Sequence, residues 1–434
     1  MNKWKNKIIG ELGFTFTGLS GKTAKDFGKG KPYIPYMNIF SNSKIDTTFL
    51  EYVKINSFER QNTVKKGDLF FTTSSETVEE VGMTSVLLDD IEECYLNSFC
   101  FGFRLYNYDD LLPEFVPYLF RGEEVRKMIS LLGRGSTRYN LPKTELLNRL
   151  QLNLPPLPTQ RKIAHILSAA DAVIEKTQAA IAKYKAIKQG MLHDLFTRGI
   201  DLKTGNLRPK QQDAPQLYKE SKLGWIPKEW NVEKIGGFSF ITKLAGFEYT
   251  IHFDYSKSGP IIAVRALNIK QGKLNLFSIH TIPKETSDAL PRSQLKKGDL
   301  VISYVGTVGQ VAVIPESSKF HLAPNVAKIS VDIKEINPFY LNQFLNSDIG
   351  QNEIIKLVSS TTQAALSMQN LREVLFIKPD LKEQDLIKLN LENIDNKIQT
   401  EQTYLHKLQQ IKAGLMADLL SGKKEVIVEE EMAN

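Results

Sequence analysis

Cysteine is nearly missing from this chain: two in 434 residues, Cys94 and Cys100. That count excludes a disulfide-stapled scaffold and fits a reducing, cytoplasmic setting. Long apolar runs are absent too. No stretch approaches the roughly 18 apolar residues that a membrane-spanning helix needs, and Met1-Asn2-Lys3-Trp4-Lys5 leads into no apolar signal segment. Histidine is sparse. The six (His165, His193, His252, His280, His321 and His406) stand far apart, without a metal-ligand spacing to a cysteine or to each other. No metal site is expected.

Catalytic motifs are missing in a more instructive way, because two come close. Gly18-Leu19-Ser20-Gly21-Lys22-Thr23 carries the end of a phosphate-binding loop, but the position that needs the first glycine is Phe16. Pro379-Asp380 with Asp395-Asn396-Lys397 spells a nuclease-like string. Its second acid and lysine, however, fall on a coiled-coil helix and not on a strand beside a metal. Leu154-Pro155-Pro156-Leu157 has two prolines but neither the Asn nor the aromatic needed to hold a flipped adenine. No constellation for group transfer emerges, so the chain is expected to be non-catalytic, with no cofactor of its own.

Positive charge is in excess. The formal net charge is +7, and residues 425–434 hold four Glu and no Lys or Arg, which leaves +11 on the rest. Such a body favours a polyanionic partner, because Lys and Arg displace counterions from phosphate backbones.

The most informative feature is an internal repeat. Pro155, Leu157 and Gln160 recur 224 residues later as Pro379, Leu381 and Gln384, and each set opens a long helical pattern. In the first, Ile163, Leu167, Ile174, Ile181 and Leu195 mark a stripe with 4-3 spacing. In the second, Ile387, Leu391, Ile398, Leu405 and Leu419 mark another. Both stripes break at matching places, Thr177/Glu401 and Lys188/Lys412. A stripe kept over five heptads is a coiled-coil seam, and residues 160–197 would make a rod of roughly 57 Å. The pattern alone leaves the helix direction open. Were the helices antiparallel, Lys188 would approach the N-terminal half of the second rod, and Lys412 that of the first.

The segments before the rods also correspond. Trp4, Ile9 and Gly10 match Trp230, Ile235 and Gly236; Met37-Asn38-Ile39 matches Leu267-Asn268-Ile269; Lys65-Lys66-Gly67-Asp68 matches Lys296-Lys297-Gly298-Asp299. Short β-branched and aromatic runs at 299–304, 310–314 and 328–331 predict strands. Amphipathic stretches at 115–132 and 339–358 predict helices. The expected organisation is a first mixed α/β domain at 1–154, a helix at 155–198, a linker at 199–224, a second domain at 225–378, a helix at 379–421 and an acidic tail at 422–434.

Three features carry a family likeness. Pro155-Pro156-Leu157-Pro158-Thr159-Gln160, with a helix ending Met191-Leu192-His193-Asp194-Leu195-Phe196, resembles the central conserved region of type I restriction–modification specificity subunits. Leu223-Gly224-Trp225-Ile226-Pro227 resembles the start of their second recognition domain, and Gly133-Arg134-Gly135-Ser136-Thr137-Arg138-Tyr139-Asn140 their Gly-Ser-Thr loop. The resemblance implies an α/β (α+β) fold: two target-recognition domains and two long helices in an antiparallel coiled coil, related by a pseudo-two-fold repeat. It implies sequence-specific binding of a bipartite double-stranded DNA site. It also implies two methyltransferase partners that carry S-adenosylmethionine and adenine N6 chemistry, and restriction subunits that can join. In the second copy the loop reads Ser359-Ser360-Thr361-Thr362-Gln363-Ala364-Ala365, without the glycines. The rival readings are a coiled-coil assembly module whose α/β domains bind protein, and a DNA-binding nuclease.

Three sets of residues are candidates for DNA contact. Lys65, Lys66, Lys296 and Lys297 repeat at turns and could meet phosphates. Arg134, Thr137, Arg138 and Asn140, with Thr361, Thr362 and Gln363, form the two loops; Arg suits guanine and Gln suits adenine. Lys22, Tyr36, Asn38, Ser74, Ser75, Arg265, Asn268, Tyr304 and Thr307 are candidates for base edges.

Overall fold

The structure is a computed structural model; it describes residues 4–252, 258–270, 272–359 and 364–427. The chain divides into two compact units, Met1–Ala179 with Thr403–Asn434, and Ala180–Gln402. The boundary falls inside both long helices, Leu157–Thr197 and Leu381–Leu420. Each unit therefore holds one α/β domain, the N-terminal stretch of one long helix and the C-terminal stretch of the other.

In the first unit, strand Lys5–Ile8 pairs with Gln151–Leu154 and closes the domain onto the helix that follows. A four-stranded antiparallel sheet runs in the order Gly13–Thr17, Cys100–Leu105, Leu69–Thr72, Thr84–Val86. A smaller sheet joins Glu51–Val53, Phe27–Ile34 and Tyr95–Leu96, the last pair parallel. Helices at Glu123–Leu132 and Lys143–Arg149 cover the larger sheet, whose inner face is aromatic: Phe71 stacks on Phe101 and meets Phe120 edge-on.

The second unit repeats this plan. Asn231–Lys234 pairs with Leu375–Lys378. One sheet runs Ser239–Lys243, Val326–Val331, Leu300–Ser303, Val311–Val313, and the other runs His280–Ile282, Ile261–Val264, Phe320–Leu322, Gln294–Leu295. The strands expected at 299–304, 310–314 and 328–331 are all present. The two amphipathic stretches are helical but broken. Gly122 opens a fresh helix in one, and the Ser347 hydroxyl caps Asp348–Lys356 in the other by accepting from the Gly350 N–H.

Within each unit the two long helices run antiparallel. In the first, Ile163 and Leu167 share a core with Leu415 and Leu419, so the start of one helix packs against the end of the other. In the second, Leu192 and Leu195 share a core with Ile387 and Leu391. All ten seam residues are buried or half-buried. The lysines that interrupt the stripes are answered across the seam, Lys188 Nζ by Asp395 at 2.8 Å and Lys412 Nζ by Asp171 at 2.5 Å. Asp171 and Asp395 are themselves 224 residues apart, so one pair is the image of the other. Asp171 also accepts from the Tyr118 hydroxyl at 2.9 Å, which fastens the first domain to the coil.

The repeated glutamine explains why the proline segment is kept. Gln160 donates to the carbonyls of Asp110 and Pro155 and accepts from the Leu112 N–H. Gln384 does the same with Glu335, Pro379 and Asn337. Each is fully buried and locks the turn that starts its helix.

The segment expected as a linker, 199–224, is folded onto the second unit. Arg208 forms a two-pronged pair with Glu383 at 2.6 and 3.1 Å. The same carboxylate accepts from the Trp230 indole at 2.9 Å and the Ile200 N–H at 2.8 Å. Proline, glycine and polar composition gave it the look of a linker; a buried carboxylate supplied by the second helix is what orders it. The first copy has Thr159 at the equivalent place and makes no such knot.

Candidate nucleic-acid interface

In the first unit a loop is pinched off between Arg134 and Asn140, whose backbone groups exchange hydrogen bonds at 2.8 Å in both directions. Gly135 allows the turn: its φ is +137°, and a Cβ there would run into the Arg138 carbonyl. The loop's closing strand, Tyr139–Asn140, pairs with Ser75 and Ser74. Tyr36 reaches the same place, donating its hydroxyl to the Ser74 carbonyl at 3.1 Å. Arg134, Thr137, Arg138 and Asn140 are exposed there. Arg134 lies 3.6 Å from Glu145, while Ser75 is buried with its hydroxyl bonded to the Thr77 carbonyl.

The corresponding end of the second unit is built the same way. Leu366 N–H donates to the Tyr304 carbonyl at 2.8 Å, and Val305 bridges Ala365. Thr361, Thr362 and Gln363 lie outside the described residues. Beside this junction is an open groove of about 810 Å³, lined by Arg265, Leu267, Lys270, Thr307, Gln310 and Asn325 among others. Thr307 is exposed and Tyr304 half-buried, with Lys243 Nζ 4.9 Å from its ring centre. Arg265 donates to the Ser278 carbonyl at 3.1 Å and lies 3.2 Å from His280 Nε2.

The lysine pairs stand apart from both loops. Lys65 and Lys66 precede strand Leu69–Thr72, while Ser74 and Ser75 follow it. Roughly 13 Å of strand separates the two ends. Lys296 and Lys297 stand in the same relation to Leu300–Ser303 and Thr307. Their recurrence has a local cause. Asp68 accepts from the Lys65 N–H at 2.7 Å, and Asp299 from the Lys296 N–H at 2.8 Å. Gly67 and Gly298 supply φ values of +88° and +90°. The repeated string is therefore a turn folded by its aspartate and glycine, with the lysines as its solvated rim. Lys66 pairs with Asp90 at 3.3 Å.

Three further candidates have no surface to offer a base. Asn38 is fully buried; it donates to the Asp46 and Phe49 carbonyls and accepts from the Asp46 N–H. Asn268 is its counterpart, donating to the Asn275 and Ser278 carbonyls and accepting from the Arg265 N–H. Both staple a loop. The Lys22 side chain is 3% exposed, its ammonium spent on Glu59 and the Lys54 carbonyl.

Sequence reasoning passed over Arg121 and Arg126. Arg121 donates to the carbonyls of Ile39, Phe40, Asn42 and Thr84, and burial pulls its pKa down to about 10. It holds helix Tyr36–Ser41 against the larger sheet. Arg126 likewise donates to the carbonyls of Glu79, Val81 and Gly82. Nothing in their local sequence marks these two half-buried arginines as clamps on backbone carbonyls.

Comparison with known proteins agrees with this architecture. The family model described as type I restriction modification DNA specificity domain matches residues 1–183 and again 227–411. A putative type I restriction enzyme specificity subunit of Methanocaldococcus jannaschii, MjaX, is 25% identical over 94% of this chain and 90% of its own length. The EcoKI specificity subunit of Escherichia coli is 24% identical over 83% of this chain and 75% of its own. Among solved structures, the S subunit of a type I system from M. genitalium superposes with a TM-score of 0.53 at 13% identity, covering 96% of both chains. A chain from a study of assembly and conformational transition of the type I restriction–modification system gives 0.56 at 16% identity, covering 97% of this chain and 98% of that one. With one specificity-domain match on each half of its repeat, the chain belongs to the type I restriction–modification DNA specificity family, and its role is that of a DNA sequence-specificity subunit.

Proposed function

We propose that this chain reads a bipartite duplex target, one half-site per α/β domain, and scaffolds two modification subunits on its antiparallel helices. The methyl donor S-adenosylmethionine and the adenine N6 chemistry belong to those partners, and restriction subunits join the same complex. The chain itself performs no catalysis and works in the cytoplasm.

One observation carries the reading: the same exposed loop junction is built twice, at matching ends of matching sheets, from different side chains. Arg134, Thr137, Arg138 and Asn140 surround one junction; Arg265, Lys270, Thr307 and Gln310 line the groove beside the other. Repeated scaffolding with divergent polar tips is what two different half-sites require. Base readout is assigned to these tips. Phosphate contacts come from exposed cations around them, helped by the net positive charge.

The test is binding by the full chain together with its modification subunits. Arg138→Ala is expected to relax recognition in one half-site only, with a loss of roughly 1–3 kcal/mol against the cognate sequence. Absence of any salt-dependent binding to duplex DNA would favour the protein-binding alternative. Metal-dependent cleavage by the purified chain alone would favour the nuclease.

A further inference from the structure

A single exposed apolar side chain on a soluble protein needs no explanation. Two at the same place in two divergent domains do. Met37 is 50% exposed and Leu267 is 55% exposed, and they are partners in the internal repeat. Each immediately precedes the buried asparagine that staples its loop, and each is followed two residues on by a core isoleucine, Ile39 or Ile269. The backbone beneath them is tightly held. Asn38 and Arg121 together bind five carbonyls around the first. Asn268 binds two around the second. Both sit at the reading end of their domain. Met37 adjoins Tyr36, whose hydroxyl touches Ser74; Leu267 lines the groove that holds Thr307 and Arg265.

We infer that Met37 and Leu267 are specificity-determining contacts, each reading the C5-methyl group of a thymine in its half-site. The inference rests on the chain being a DNA specificity subunit. An apolar group held rigidly among hydroxyls and cations is matched by the one apolar group that base edges present in the major groove, the thymine methyl. Recurrence of the apolar character at this position, while the polar tips around it differ, gives both readers one shared rule beside their separate codes.

The experiment uses the full chain assembled with its modification subunits and duplexes carrying its methylated site. Thymines are replaced one at a time by deoxyuridine, which removes only the methyl group. One replacement in each half-site is expected to weaken binding about fourfold, the ratio that goes with one buried methyl-sized group. Met37→Ala should abolish that sensitivity in one half-site and leave it in the other. Leu267→Ala should do the reverse, and Met37→Leu should keep it. The inference is overturned if no deoxyuridine duplex differs from the parent, if Met37→Ala stays as sensitive as the wild type, or if the variants lose DNA bending instead of methyl sensitivity. Failure of the wild-type complex to prefer any duplex over competitor would instead overturn the DNA-reading function itself.

Discussion

Removing Lys188 tests the helix seam directly. Its ammonium lies 2.8 Å from Asp395, with the two side chains 22% and 17% exposed. An exposed pair contributes under about 1 kcal/mol, while stripping one partner from a fully buried pair costs roughly 3–5 kcal/mol. Intermediate burial therefore sets the cost of Lys188→Met at about 2 kcal/mol, most of it from stranding Asp395. Adding Asp395→Leu removes the stranded charge and lets two apolar side chains meet in the seam, so the double variant should return to within about 0.5 kcal/mol of the wild type. The image pair gives an internal comparison. Asp171 answers Lys412, the Tyr118 hydroxyl at 2.9 Å and Lys44 at 3.5 Å. Asp171→Leu should therefore cost roughly 1 kcal/mol more than Asp395→Leu. A chain of two units need not unfold in one step, so the readout is hydrogen exchange in the helix segments around 185–195 and 388–398. Additive losses in the Lys188→Met/Asp395→Leu double variant would refute the reasoning, because they would mean the two side chains do not act on each other.

Three other outcomes follow from particular residues. Glu383→Ala strands Arg208 and leaves the Trp230 indole without its acceptor; calorimetry should show a loss of roughly 3–5 kcal/mol, and protease should then cut within 199–217. Gly135→Ala puts a side chain where φ is +137°, a local cost of roughly 1–3 kcal/mol. It should abolish methylation directed by the first domain while lowering the melting temperature by no more than several degrees, as methylation assays and melting curves would show. His321 is fully buried against the Leu322 and Leu290 carbonyls, and burial holds its pKa below the ordinary value. Its unfolded form takes up a proton first, so the second domain should be fully stable above about pH 6.5 and lose stability as pH falls through the folded pKa. Hydrogen exchange in strand Phe320–Leu322, corrected for the intrinsic rate, would detect this.

The long helices were legible because a coiled-coil seam writes its period into the sequence, and two copies with matching interruptions cannot be mistaken for one ordinary amphipathic helix. Their direction was not, since a 4-3 stripe reads alike both ways; Lys188 opposite Asp395 and Lys412 opposite Asp171 supply it. The candidate site was harder. Repetition pointed at Lys65-Lys66, Asn38 and their counterparts, but what repeats is what folds the domain. Asp68, Gly67 and Asn38 recur because a turn and a loop need them. Met37 and Leu267 stood in the same alignment without a role, because exposure of an apolar residue depends on which side of its short helical turn faces the sheet. The knot around Glu383 was hidden for another reason: its partners Arg208, Trp230 and Ile200 are distant in sequence and come from a segment whose composition reads as loop.

If, as proposed, two domains read two half-sites and the long helices fix the spacer between them, the spacer of the methylated motif should follow the length of the helices. The direct measurement is genome-wide adenine methylation in cells carrying the wild-type gene, no gene, or the gene with about one helical turn inserted in the Leu157–Thr197 helix. The wild-type pattern should be one bipartite motif that vanishes without the gene. The insertion adds roughly 5.4 Å and should lengthen the spacer by one or two base pairs while keeping both half-sites. An unsplit motif, or a spacer unmoved by the insertion in an active variant, would contradict the account.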